Sequence, residues 1–481
     1  MCAICRRLFL TGLAGSAIAL TEPLRLEAQV AQPLATPPRG TRNLPRGEFV
    51  INNAYIITMD PQLGEFPSGS IYVKDGTIID IGQKIEAPPG VETIDASRQI
   101  VLPGLIDTHW HMWHTLFRSF AGDAKENGFF PTVTRFAKSM SADDMYQSTR
   151  LAAAEAVSAG ITTVHDWCHN IRTREHAEAD IQALRDIGIR ARWSFGQAID
   201  QPLTQPIRLD DLRSFSADWP SYSNDGLIGL GMAWRGMFRH GTVPPEVARP
   251  EFDTARKLGL PISVHIGTIS KDTVGDVIAH ADGGFLGPDV NIVHATGATQ
   301  RDVDAIKAAG SNVSILAYSE MLGGWGQPSL KQFMAAGVPV ALGVDSSVLI
   351  GEANLFNILK LAIGLVNVAD QSEFAINPRR ALQLATVDAA GMMGIADRVG
   401  SLRRGKRADL IAVSTDGLNM GVFTDPARML IECATPANVD TVVIDGHILK
   451  RNGRLVGMDV PEIINGARAS LKSVREKAAW R

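Results

Sequence analysis

Cysteine is scarce in this chain. Its 481 residues hold four, and two of them, Cys2 and Cys5, stand at the very N-terminus, leaving Cys168 and Cys433 far apart in sequence. Two distant thiols make no disulfide framework, so stability has to come from a buried core. Long apolar runs are missing too. Beyond the N-terminal segment nothing approaches the roughly 18 uninterrupted apolar residues that span a bilayer, and no membrane partner is expected. Positive charge is not in excess: 47 Lys and Arg face 51 Asp and Glu, a formal net charge of −4. There is no basic surface and no Lys/Arg run interleaved with aromatics, so no nucleic-acid partner is expected either. What remains is an ordinary globular composition, 45% hydrophobic and 20% charged, whose expected partner is a small molecule. The oligomeric state stays open, a homo-oligomer included.

The N-terminus carries a pattern of its own. Arg6-Arg7 stands before Leu8-Phe9-Leu10 and an apolar, small-residue stretch that runs to Leu20. A charged head before a short apolar run is the pattern of a secretory leader, and the paired arginines resemble a twin-arginine export signal. Residues 1–30 are therefore expected to be a signal peptide cut near Ala28 or Ala31, with a linker rich in Pro, Gln and Ala over 31–46. The location this implies is the bacterial periplasm or the cell exterior.

Structure is expected from about residue 47 onward. Residues 49–58, Ser70-Ile71-Tyr72-Val73 and Thr77-Ile78-Ile79-Asp80-Ile81 are β-type runs, the last two separated by the turn pair Asp75-Gly76. The same texture returns at 408–413 and at 441–444, before the turn Asp445-Gly446. A short β-segment alone leaves its sheet edges unpaired. The economical arrangement is one small β-sandwich built from residues 47–100 and 400–460. Between them, over 101–399, strands and helices alternate. Strand candidates end near His111, His169, Gln197, Arg235, Gly267, Thr296, Ser319 and Asp345. Helices are expected over 143–159, which starts acidic and ends at Gly160 as a C-cap, and over 173–186, 245–258 and 300–309. Eight such units predict an α/β fold, a (β/α)8 barrel of the TIM type. A further helix is expected over 461–481.

The chemistry is concentrated at strand ends. Residues 101–111 read Val-Leu-Pro-Gly-Leu-Ile-Asp-Thr-His-Trp-His. On a strand, residues two apart share a face, so His109 and His111 enter the barrel together. Imidazole is a good zinc or iron ligand. Taken alone, His-x-His arises by accident about as often as by design. Three later apolar strands end in matching groups: 260–265 in His265, 290–294 in His294, and 338–345 in Asp345. The C-terminal ends of barrel strands are where barrel catalysis takes place.

This order and spacing resembles the amidohydrolase superfamily, over essentially the whole chain beyond the leader. The segments at 102–111, 290–294 and 342–345 carry the resemblance most specifically. It implies a barrel joined to a small β-domain made from both termini. It also implies, for the mononuclear branch with cytosine deaminases and triazine hydrolases, one divalent metal held by His109, His111, His265 and Asp345. His294 then sits beside the substrate. The dinuclear branch uses a carbamylated lysine at the end of the fourth strand. Here that strand reads Leu230-Gly231-Met232-Ala233-Trp234-Arg235 and offers none. Zinc is the default metal, with Fe2+ or Mn2+ also suited to such a donor set.

The expected activity is hydrolysis of a non-peptide C–N bond in an amide, urea, carbamate or cyclic amide. Asp345 is expected to move the proton and His294 to stabilise the developing oxyanion. One position departs from the pattern. Deaminases of this branch carry glutamate three residues after the histidine matching His265, and this chain has Thr268, which cannot shuttle a proton at neutral pH. Glu320 is the candidate replacement donor, against the plainer reading of a solvated loop carboxylate. His169 is a candidate substrate contact or additional ligand, against a hydrogen-bonded structural role. Trp110 and Trp113 are candidates for an aromatic pocket, against packing beneath the first loop. Two other functions stay open: a deaminase or dehalogenase of an N-heterocycle, and a catalytically silent periplasmic binding protein.

Overall fold

The computed structural model describes residues 44–122, 124–236 and 243–480. The leader and most of the linker expected over 1–46 lie outside the described residues.

The first five strands are β1 (Phe49–Ile57), β2 (Glu65–Lys74), β3 (Thr77–Gly82), β4 (Glu92–Asp95) and β5 (Gln99–Pro103). Eight more, β6 (Leu105–Trp110), β7 (Ile161–Ile171), β8 (Arg190–Gln197), β9 (Ile228–Trp234), β10 (Ile262–Ile266), β11 (Val290–His294), β12 (Asn312–Ile315) and β13 (Val340–Leu342), run parallel in sequence order as one sheet. Its two edges meet at a parallel bridge between Trp110 and Asp345. The Asp345 amide donates to the His109 carbonyl at 2.8 Å and the His111 amide to the Asp345 carbonyl at 2.7 Å. The result is a nearly closed eight-stranded barrel, as expected.

Local signals account for the helices between these strands. Ala142–Ser158 begins in a capping box, in which Ser141 and Asp144 satisfy each other's backbone amides. Gln300–Ala309 repeats the device with Thr299 and Asp302 and stops at Gly310, whose φ of 73° suits glycine. The run 313–319, read as strand throughout, is divided. β12 stops at Ile315 and Ala317–Leu322 is helical, because a short buried apolar run does not distinguish strand from helix.

The remaining strands, β14 (Leu410–Ser414), β15 (Val439–Ile444), β16 (His447–Arg451) and β17 (Arg454–Leu455), join β1–β5 in one nine-stranded sheet. The two ends of the chain meet where β14 pairs antiparallel with β5. Alternation then divides the side chains. Val101, Leu410, Ala412 and Val443 enclose a small core of the sheet's own. Ile100, Leu102, Ile411, Val413, Val442 and Ile444 pack into the main barrel core. The apparent single strand 101–111 is likewise two, split at Gly104, where a Cβ would come 2.1 Å from the Thr162 side chain. Among the described residues no helix is long and apolar enough to cross a membrane.

Candidate active site

The C-terminal ends of the barrel strands bring His109, His111, His265, His294 and Asp345 together. His109 in β6 and His111 just past its end bring their Nε2 atoms to 3.1 Å. Both stand 3.5 Å from Asp345 Oδ1. His265, from β10, stacks on His111 with ring centroids 5.2 Å apart. His109, His111 and His265 each present one nitrogen, all within 4.8 Å of one another. Asp345 adopts φ 66° just past β13, and its Oδ2 is buried with no hydrogen-bond partner among the described residues.

Burial sets the charge state of this cluster. Loss of hydration, then repulsion among neighbouring imidazoles, holds His109 and His265 well below the ordinary histidine range. Burial likewise brings His111 down to about 4, against the opposing pull of Asp345. Neutral imidazole is the form that binds a metal. The His111 Nδ1–H donates to the Trp167 carbonyl at 3.1 Å, which leaves the Nε2 lone pair facing its neighbours. Three neutral nitrogens, one carboxylate oxygen at 3.5 Å and one orphaned carboxylate oxygen fit a divalent cation of the zinc type.

Around this cluster lies a cavity of about 470 Å3. Its walls include Phe129, Phe130, Trp167 and Trp325, and its polar lining includes Gln197, Arg235, Thr268 and Asp272. The long connection after β6 folds back to deliver Phe129 and Phe130, which pack on Trp325 at 5.7 and 5.9 Å between ring centroids. His294 lines the cavity, and its Nδ1 lies 3.2 Å from Glu320 Oε1.

The other expected residues are distributed as follows. Glu320 is fully buried behind His294, accepts the Leu316 amide at 3.0 Å and does not line the cavity. His169 does line it, with its ring 4.3 Å from that of His111. The Trp113 indole donates to His169 Nδ1 at 3.2 Å, so the Nε2–H of a neutral His169 is left as a donor. Trp110 and Trp113 are buried outside the lining. Sequence reasoning missed Asp107. Its carboxylate accepts the His109 amide at 3.0 Å and the Val344 amide at 2.6 Å, joining both sides of the cluster. The same two-residue alternation that paired His109 with His111 puts Asp107 on their face. The roles of Phe129 and Phe130 depend on a chain reversal that no local pattern encodes, whereas Gln197 stands at the expected end of β8.

A profile described as the Amidohydrolase family matches residues 100–449. The chain belongs to the amidohydrolase family. Its curated relatives include the 5'-deoxyadenosine deaminase of Methanosarcina mazei, 27% identical over 455 residues, covering 89% of this chain and 98% of the relative. The 5-methylthioadenosine/S-adenosylhomocysteine deaminase of Symbiobacterium thermophilum is 29% identical over 454 residues, covering 89% and 99%. Among solved structures, an adenosine deaminase from Xanthomonas campestris with bound zinc superposes with a TM-score of 0.78 at 21% identity, covering 89% of this chain and 99% of the other.

This amidohydrolase is thus a hydrolase of carbon–nitrogen bonds other than peptide bonds, acting on a small molecule with a divalent metal. The expectation of export is corrected by the same relatives. The chain aligns over almost their whole length with the 5'-deoxyadenosine deaminases of Methanosarcina, and nothing in that likeness supports export. Two arginines before a short apolar run are too common a pattern to assign a compartment.

Proposed function

We propose that this amidohydrolase cleaves the C–N bond of an amide, urea, carbamate or cyclic amide in a flat small molecule. It belongs in this reading to the mononuclear branch, with one Zn2+ held by His109, His111, His265 and Asp345. The observation that carries the reading is the convergence of three neutral imidazoles and a half-used carboxylate on an aromatic-walled cavity. When bound, the metal supplies a Lewis acid that makes water nucleophilic near neutral pH. Asp345 Oδ2 has no protein partner among the described residues, and so takes a proton from the attacking water and delivers it to the leaving nitrogen. His294, its Nδ1 held by Glu320, stabilises negative charge growing on the carbonyl oxygen through Nε2 when both ring nitrogens carry a proton. His169 donates to the substrate from the side of β7. Thr268 favours amide-type substrates, whose leaving nitrogen needs no separate acid to protonate a ring.

The names of the relatives and the aromatic walls favour a second reading, deamination of an N-heterocycle. Among the described residues the carboxylates that line the cavity are Asp345 and Asp272, and in this reading one of them protonates the ring. Product identification by mass, on matched panels of amides, ureas and amino-heterocycles, separates the two. Amine and acid products establish the first. Ammonia from amino-heterocycles with no amide cleavage transfers the assignment to the second.

A further inference from the structure

Arg235 follows β9, is 5% exposed and forms part of the cavity wall. Its Nη2 donates to the carbonyls of Leu203 and Gln205, each at 3.0 Å. Its Nε and Nη1 have no acceptor among the described residues. Glu251 stands behind it, with Oε1 3.6 Å from Nη2. Both oxygens of that carboxylate are already engaged, Oε1 by the Ile207 amide at 2.7 Å and Oε2 by the Trp234 indole at 2.6 Å. Glu251 therefore offsets charge and leaves the guanidinium's remaining N–H groups unused. Buried charged donors left without an acceptor are costly, more so than neutral ones.

Two neighbours share this condition. Trp167 Nε1 and Gln197 Oε1 are buried without a partner among the described residues, and both residues line the same cavity. β7, β8 and β9 are adjacent strands, so neighbouring strands place three cavity-lining residues with unsatisfied polar atoms side by side. Indole and guanidinium only donate, and a side-chain amide can exchange its oxygen and nitrogen by a flip. A donor wall with one cation calls for an acceptor-rich, singly charged group. A lone guanidinium already half-offset by Glu251 is a poor match for a dianion. A carboxylate matches it in charge and planarity. Register supplies the spacing. Val264 pairs with Trp234, which sets Arg235 beside His265 on the neighbouring strand, about 4.8 Å away.

We infer that Arg235, with Gln197 and Trp167 beside it, binds a carboxylate of the substrate. The substrate class is an amide, urea or carbamate that bears a carboxylate group beyond the scissile C–N bond. The bond that is cut rests on the function proposed above; the anion subsite stands on the unpaired donors alone.

The test uses the full-length, zinc-loaded protein with 4-acetamidobenzoate and N-benzoylglycine, each compared with its methyl ester. Trp167 and Trp325 line the cavity, so quenching of tryptophan fluorescence reads binding. The acids are expected to bind roughly tenfold to hundredfold more tightly than the esters. Arg235→Gln is expected to erase the difference, and Arg235→Lys to retain part of it. Equal binding of acid and ester by the unaltered protein, undetectable binding of both included, overturns the inference. So does an acid preference that survives Arg235→Gln. Turnover of the same compounds is read separately. Hydrolysis without acid preference removes the subsite and leaves the C–N assignment standing. Acid-selective binding without hydrolysis supports the subsite and counts against that assignment.

Discussion

His294 has one side toward the cavity and the other toward a carboxylate it does not share with solvent. Glu320 Oε1 lies within reach of both His294 Nδ1 and the Leu316 amide. Glu320→Gln keeps an acceptor for both and loses the charge. Turnover is expected to fall roughly 10- to 100-fold, with KM little changed and the folded structure kept by circular dichroism. Wild-type turnover in that variant contradicts a working His294–Glu320 unit. Thr268 permits the opposite experiment. It lines the cavity three residues beyond His265, so Thr268→Glu adds a carboxylate to the cavity wall beside the proposed metal ligands. Ammonia release from amino-heterocycles is expected to rise in this variant, measured by a coupled assay. No change there means that the position is not what withholds deamination.

At the scale of strands, the site depends on how closely β13 approaches β6. Gly343 makes that approach feasible: a Cβ there would sit 2.8 Å from the His109 carbonyl oxygen and 2.9 Å from its amide nitrogen. Gly343→Ala is expected to cost about 1–3 kcal/mol of stability, read by denaturant unfolding, and to weaken metal retention by moving His109 away from Asp345. Full stability with full metal content contradicts this view of the barrel seam. The same seam shows how much could be read in advance. The strands were legible because they end in His109, His111, His265, His294 and Asp345 after apolar runs, and alternation needs only local sequence. The helix carrying Glu320 was not, because a buried run of four to six residues looks alike as strand or helix. The cavity wall was legible only in part. His169 could be picked from β7, whereas Phe129 and Phe130 arrive from a long connection whose path depends on tertiary packing. Trp110 and Trp113 stood next to the histidines in sequence and turned out to be buried outside the cavity lining.

In the whole molecule, the terminal sheet is tied to the barrel by charge as well as by apolar packing. Arg190, on β8, reaches out of the barrel to Asp409 at 2.7 and 2.9 Å and to Asp445 at 3.2 Å, and all three are buried. Removing one partner strands a buried charge. Asp409→Ala is expected to cost about 3–5 kcal/mol, with loss of both domains in one transition; a change under about 1 kcal/mol contradicts the tie. Asp445 adds a pH dependence. Burial raises its carboxyl, and Arg407, Arg190 and Arg46 outweigh that and hold it below the ordinary range. Its stabilising contribution is therefore complete above the unfolded value, about pH 4, and is lost as pH falls through the lower folded value. Asp445→Asn is expected to flatten the acid limb of a stability–pH curve, and an unchanged limb contradicts the assignment.

The central claim is that His109, His111, His265 and Asp345 hold the metal on which C–N hydrolysis depends. It is tested most directly by measuring bound metal per chain by mass spectrometry together with turnover, in the unaltered protein and in His109→Ala. About one zinc-type ion per chain is expected, from the one cluster of three imidazoles among the described residues with Asp345 beside it. Both the ion and the turnover should be lost in the folded variant. A His109→Ala protein that keeps its metal and its activity contradicts the claim.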